Sequence, residues 1–326
     1  MLVSPDCLGR TFNARVDGRL VRIDLPKLLP KDYDGKPSLV EPDWRYPLRQ
    51  AEGQMTYLGA WGSVLTAFST NESDLGDLNS TVWIPRVRIS TASPDTREDA
   101  ERIAAHLVTE LAPWWDLTQS WVEIFTGQDL TPMADPYERN RLRGPELWTG
   151  GFNEHEVRQS LAADRPIEPP DPRQIQILTA SKLEYCLKLA STNVEPPIEW
   201  KLARSAQSML TRRDFRRAIL DAGTAAELAI GILLDRRLKD VEVNVGKLLL
   251  ARHRTLGQHI DLLKKLSGPN SLPDDIGNKL VNPRNLAAHG GTPPTRQVAV
   301  RAVETAVLIV ESATSIESLE VEDYST

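Results

Sequence analysis

Arg284, Asn285 and His289 lie in one short segment, VNPRNLAAHGG, and their side chains together suit a phosphodiester site. A guanidinium stays charged and can hold a phosphate through two parallel hydrogen bonds. An imidazole can move a proton near neutral pH. Asn285 and His289 are four residues apart, so on a helix they project from the same face. Arg284 stands five before His289, about 140° round at 3.6 residues per turn, and its length still lets it reach a shared cleft. A histidine in a last turn also feels the negative end of the helix dipole, which favours imidazolium. On spacing alone the same residues fit a plainer element, with His289 as a helix-end cap and Arg284 solvated.

The flanking residues say how such an element is bounded. Asn282-Pro283 reads as a helix opening, since Asn caps and Pro is tolerated at the first position. Equally, Pro283 can kink a longer helix that begins near Pro273. Gly290-Gly291 supplies a stop, because glycine readily turns left-handed after a helix, and Pro293-Pro294 blocks continuation.

Around this segment the chain is wholly helical by its apolar spacing. Helices are expected over Glu199–Met209, Arg212–Leu238, Leu256–Leu266, Pro273–His289 and Arg296–Ser312. Between Ala218 and Leu234 the long helix is apolar nearly all round, which places it at the centre of a bundle. Glu227 is a carboxylate inside that stretch, and burying it calls for a cationic partner.

The first half differs. Of eight Trp, all but Trp200 precede residue 165. The sequence TFNARV-DG-RLVRIDL alternates around Asp17-Gly18, a strong hairpin signal. Alternation returns in STVWIPRVRIS, with Val82, Ile84, Val87 and Ile89 as inward positions and Pro85 marking an edge or bulge. Ser93-Pro94-Asp95-Thr96 then opens a helix that continues through Ile103, Leu107 and Leu111. The pair Trp114-Trp115 is either core or a ligand platform. These patterns divide the chain into a Trp-rich mixed α/β domain (1–165), a proline-dense linker with a connecting helix (166–198), and a helical bundle (199–326).

Bulk composition narrows the functional classes. A net charge of -6 gives no global attraction to nucleic acid, so binding there needs a local basic patch. Arg212, Arg213, Arg216 and Arg217 form one; they either line an RNA path or make up a solvated helix end. Cys7 and Cys186 show no CxxC or disulfide pattern, which points to a reducing compartment. The five His have no metal-ligand spacing, so no metal is expected. No phosphate loop, nucleophile elbow or dinucleotide fingerprint occurs, and no cofactor is expected. Without a signal layout or a run of about 18 apolar residues, a soluble cytoplasmic protein and no membrane partner are expected.

RNLAAHGG, between a helix and a final amphipathic helix, resembles the R-x4-H motif of the HEPN superfamily, in which Asn commonly follows the Arg. DFRRAILDAGTAAELAIGILL resembles the long early helix of those domains. The resemblance spans Glu199–Glu311, about a third of the chain, and Pro283 departs from the family's unbroken helix. With the mixed first half read above, the chain is expected to be α+β, a mixed α/β domain followed by an all-α bundle that the resemblance makes HEPN type. It further implies a metal-independent RNA endonuclease, acting as a homodimer whose two motif helices build one cleft. Arg284 would then bind the scissile phosphate, His289 assist proton transfer, and Asn285 orient Arg284 or the phosphate. DNA, lacking the 2′-hydroxyl, would be refractory. Toxins and antiphage effectors with a protein regulator or antitoxin are a family habit. The alternative is a non-catalytic HEPN module that dimerises or binds nucleotide as an adaptor. Within this frame Glu227 either pairs with Arg284 and holds its fork, or reaches solvent at the helix edge.

Overall fold

The computed structural model describes residues 1–29, 38–40, 42, 63–65, 81–84, 87–92, 96–130, 142–148, 158–163, 176–268 and 272–321. The chain divides into two compact units, Met1–Glu195 and Pro196–Thr326. The first is mixed. Its strands are β1 (Leu2–Val3), β2 (Thr11–Val16), β3 (Arg19–Asp24), β4 (Lys27–Leu29), β5 (Ser38–Val40), β6 (Ser63–Leu65), β7 (Thr81–Trp83), β8 (Arg88–Thr91), β9 (Leu142–Trp148) and β10 (Arg158–Ala163). Its helices are α1 (Arg97–Thr126), which precedes β9, and α2 (Ala180–Ser191). The strands pair antiparallel in small sheets ordered β1-β7-β6, β2-β3-β8, β4-β5 and β10-β9.

The β2–β3 hairpin turns at Asp17 and Gly18, both at positive φ (46° and 73°), with Val16 opposite Arg19. Two left-handed residues in a two-residue loop match the twist of the flanking strands. Phe12, Ala14, Val16, Val21 and Ile23 are buried on one face. Val82 and Ile84 are buried as their alternation predicts, whereas Val87 and Ile89 are half-buried. Pro85 and Ser93-Pro94-Asp95 lie outside the described residues. Thr96 is the N-cap of α1, accepting from the Asp99 N–H at 3.1 Å. Trp114 is buried in the core and Trp115 half-buried, their rings 6.0 Å apart. Helix α2, within the stretch expected as a connection, packs on α1 and β2 in the first unit.

Asp24 is a buried carboxylate on β3. It accepts hydrogen bonds from Thr11 Oγ1 (2.7 Å), Arg22 Nε (2.8 Å) and Arg88 Nη2 (2.8 Å). Burial pushes its carboxyl upward, but the bonds from Thr11, Arg88 and Arg22 outweigh that and hold it below its ordinary value. Because the folded-state value is depressed, the stability it contributes is present at neutral pH and lost as pH falls below about 4. Asp24→Asn should therefore melt below wild type at about pH 7, with the gap narrowing towards about pH 3. Thermal melts across that range check it.

The second unit is helical: α3 (Ile198–Thr211), α4 (Phe215–Leu238), α5 (Val243–Arg252), α6 (Leu256–Ser267), α7 (Asn282–His289), α8 (Arg296–Ala313) and α9 (Ile316–Val321). Helix α4 is central, packed on α3 and α8. Ala218, Ala222, Ala225, Ala226 and Ala229 on α4, with Ala299, Ala302 and Ala306 on α8, are fully buried. Small side chains at these positions let the helix axes approach closely. Trp200 fills the α3 side of this core and donates from Nε1 to the Thr314 carbonyl at 2.8 Å.

Two sequence expectations change here. Asp214 caps α4 and Arg213 has φ 61°, so Arg212 and Arg213 lie in the connection before the helix. Helix α5 was not expected. Asp221 is a second carboxylate in the apolar stretch, and Ser205 Oγ donates to it at 2.8 Å.

Candidate functional site

The segment carrying Arg284 does not open a fresh helix at Asn282. A π-helical turn, Gly277–Val281, runs directly into α7, and Asn282 has helical backbone (φ −63°, ψ −48°). Asn282 therefore caps nothing; its Nδ2 donates to Asn278 Oδ1 at 3.1 Å. The wider turn directly precedes Pro283, which lacks the N–H for a regular i→i−4 bond and whose ring crowds the carbonyl four residues back. At the other end Gly290 is extended (φ −87°, ψ 148°), not left-handed. The need for glycine there is steric. A Cβ would stand 2.5 Å from the Leu286 carbonyl oxygen, which accepts the Gly290 N–H at 2.6 Å.

Helix α7 turns Pro283 and Ala287 inward and leaves Asn285, Leu286 and His289 exposed. Asn285 and His289 stand one turn apart on the outer face, as their spacing predicts. Arg284 lies between the two environments, with its side chain about one-third accessible. Its Nη2 is 3.6 Å from Glu227 Oε2, and its Nη1 is 3.5 Å from Asn285 Oδ1. The structure thus brings Arg284, Asn285 and Glu227 together, with His289 on the same short helix. The Glu227 pair is monodentate, long and 32%/36% accessible, so it contributes under about 1 kcal/mol. Such a contact orients the guanidinium without consuming it, leaving donors for an incoming anion.

The arginine cluster is not one patch. Arg216 donates from Nε to the Ala287 carbonyl at 2.8 Å, satisfying a carbonyl in the last turn of α7. Arg217 lies 3.8 Å from Asp221, while Arg212 and Arg213 lie before the helix. Sequence reasoning did not single out Gly223. On α4 it faces Arg284 so closely that a Cβ would stand 2.5 Å from Arg284 Cγ and 3.3 Å from its Cβ. The available signal was a glycine inside a helical pattern, which costs about 1 kcal/mol against alanine and so calls for a packing reason.

Among the described residues no group of three or more His, Cys, Asp and Glu is placed to hold a metal ion. No helix among them is long and apolar enough to cross a membrane. No family model, no curated protein and no solved structure matches this chain.

Proposed function

We propose that the second unit is a HEPN-type domain and that the chain is a metal-independent RNA endonuclease acting through Arg284, Asn285 and His289. The observation that carries this reading is the placement of the motif. One short helix presents an amide and an imidazole to solvent, beside a guanidinium steadied by a carboxylate from the central helix. In the proposed reaction Arg284 holds the scissile phosphate and stabilises charge that develops on its oxygens. His289 takes the proton from the attacking 2′-hydroxyl or returns one to the leaving oxygen. Asn285 orients Arg284 or the phosphate, and Glu227 holds the Arg284 fork. Two copies would build one cleft.

A toxin or antiphage-defence role under a protein regulator, in the cytoplasm, fits the same reading. The alternative is a non-catalytic HEPN dimerisation or nucleotide-binding module. It is favoured if purified protein forms dimers but leaves RNA intact. The test pairs labelled RNA with a DNA of the same sequence in EDTA. RNA alone should be cut, leaving a 2′,3′-cyclic phosphate, by a species twice the chain mass. Intact RNA, equal cutting of DNA, or a strict monomer at micromolar concentration would each count against it.

A further inference from the structure

We propose that Arg216 and Gly223 on α4 are positioning residues for the α7 site, fixing respectively the end of α7 that carries His289 and the stem of Arg284. The inference rests on the function proposed above and extends it to two residues outside the motif.

Arg216, Gly223 and Glu227 are spaced by seven and four residues, so they form one stripe on α4. Each meets α7. Arg216 reaches the Ala287 carbonyl, Gly223 lies under Arg284 Cγ and Cβ, and Glu227 lies beside the Arg284 guanidinium. As α4 ascends from 216 to 227, its partners on α7 descend from 287 to 284, so the two helices run antiparallel and touch at both ends of the motif. The lower clamp holds a backbone carbonyl two residues before His289. The upper clamp fixes the first bonds of the Arg284 side chain through close packing and its tip through charge.

Gly223 has an internal comparison. Gly231 sits on the same helix, and a Cβ there would meet nothing within 4 Å. Alanine at either position gains helix propensity, but only at Gly223 does it press on Arg284: a change of χ1 would carry Cγ, and with it the guanidinium, away from its place beside Glu227, and the close approach to Cβ would remain. Likewise the Arg216 bond separates two roles. An arginine that contacts RNA phosphate contributes about one unit to the salt slope of binding. An arginine that only holds α7 contributes none.

The test uses the full chain with Gly223→Ala, Gly231→Ala and Arg216→Met. Gly223→Ala should lower kcat for RNA cleavage about 10–100-fold with KM little changed, since a displacement of about 1 Å at a positioned group costs that much. Gly231→Ala should match wild type. Arg216→Met should lower kcat about tenfold and leave the salt slope of RNA binding unchanged. A readout free of activity accompanies these: the Arg284 Nε–Hε NMR signal, identified by its loss in Arg284→Lys. It should shift in Gly223→Ala and stay in place in Gly231→Ala. If wild type cuts no RNA, the functional reading fails while the NMR comparison still decides the Gly223 contact. Equal rates and equal Arg284 signals in the two alanine variants would overturn the role of Gly223. A lower salt slope with unchanged kcat in Arg216→Met would make Arg216 an RNA contact instead. Should Gly223→Ala fail to fold, Arg216→Met, altered at an exposed side chain, carries the test.

Discussion

His289→Ala should lower the rate of RNA cleavage by about 10²–10⁴-fold, the usual contribution of a positioned general acid or base. The same substitution should leave stability within about 0.5 kcal/mol. His289 is exposed at the end of α7, and its side chain makes no hydrogen bond among the described residues. The tie that holds this turn, from Arg216, goes to the Ala287 backbone and survives the change. Loss of activity in a protein that melts like wild type would therefore reflect chemistry. Single-turnover cleavage beside a thermal melt measures both. A residual rate within twofold of wild type would remove His289 from the site.

Trp200→Ala should destabilise the second unit by about 3–5 kcal/mol, the range for emptying a buried aromatic site. Trp200 is fully buried on α3, and its indole N–H is bound to the Thr314 carbonyl at the end of α8. Removing the ring opens a cavity and also strips a carbonyl of its donor, two costs that add. The Arg204 guanidinium, 5.3 Å from the ring, loses its stacking surface as well. Because whole-domain stability is only about 5–15 kcal/mol, the variant should populate unfolded second units at modest denaturant. Circular dichroism under urea, with Trp200→Phe as a partial rescue, provides the measurement. A loss below about 1 kcal/mol would mean that the core between α3, α4 and α8 is not organised around this ring.

Local signals in the sequence carried much of this architecture. Asp17-Gly18 specifies its hairpin because two adjacent residues that tolerate positive φ leave few other turns. The central position of α4 follows from an apolar surface that only surrounding helices can cover. A carboxylate in that surface calls for a cation, and Glu227 lies 3.6 Å from Arg284.

What was not legible depends on partners distant in sequence. Arg216 and Ala287 are 71 residues apart, and no periodicity distinguishes an arginine bound to a carbonyl from one in solvent. The contact of Gly223 with Arg284 exists only once α4 and α7 are packed. At Asn282-Pro283 the sequence supported both a new helix and a continuing one, and the π-helical turn takes the second course. Gly290 shows that a glycine after a helix can be required by a nearby carbonyl as well as by a left-handed turn. Helix α5 escaped notice because its apolar residues mark no single buried face: Val243, Val245 and Leu248 are all exposed.

If Arg284 grips a phosphodiester at a site on α7, replacing it must remove cleavage. Wild type and Arg284→Ala are compared for cleavage of labelled RNA in excess EDTA at fixed salt. The expected result is cleavage by wild type and a loss of about 10²–10³-fold or more in Arg284→Ala, with both proteins equally folded. Equal cleavage by the two proteins, or intact RNA with wild type, would contradict it.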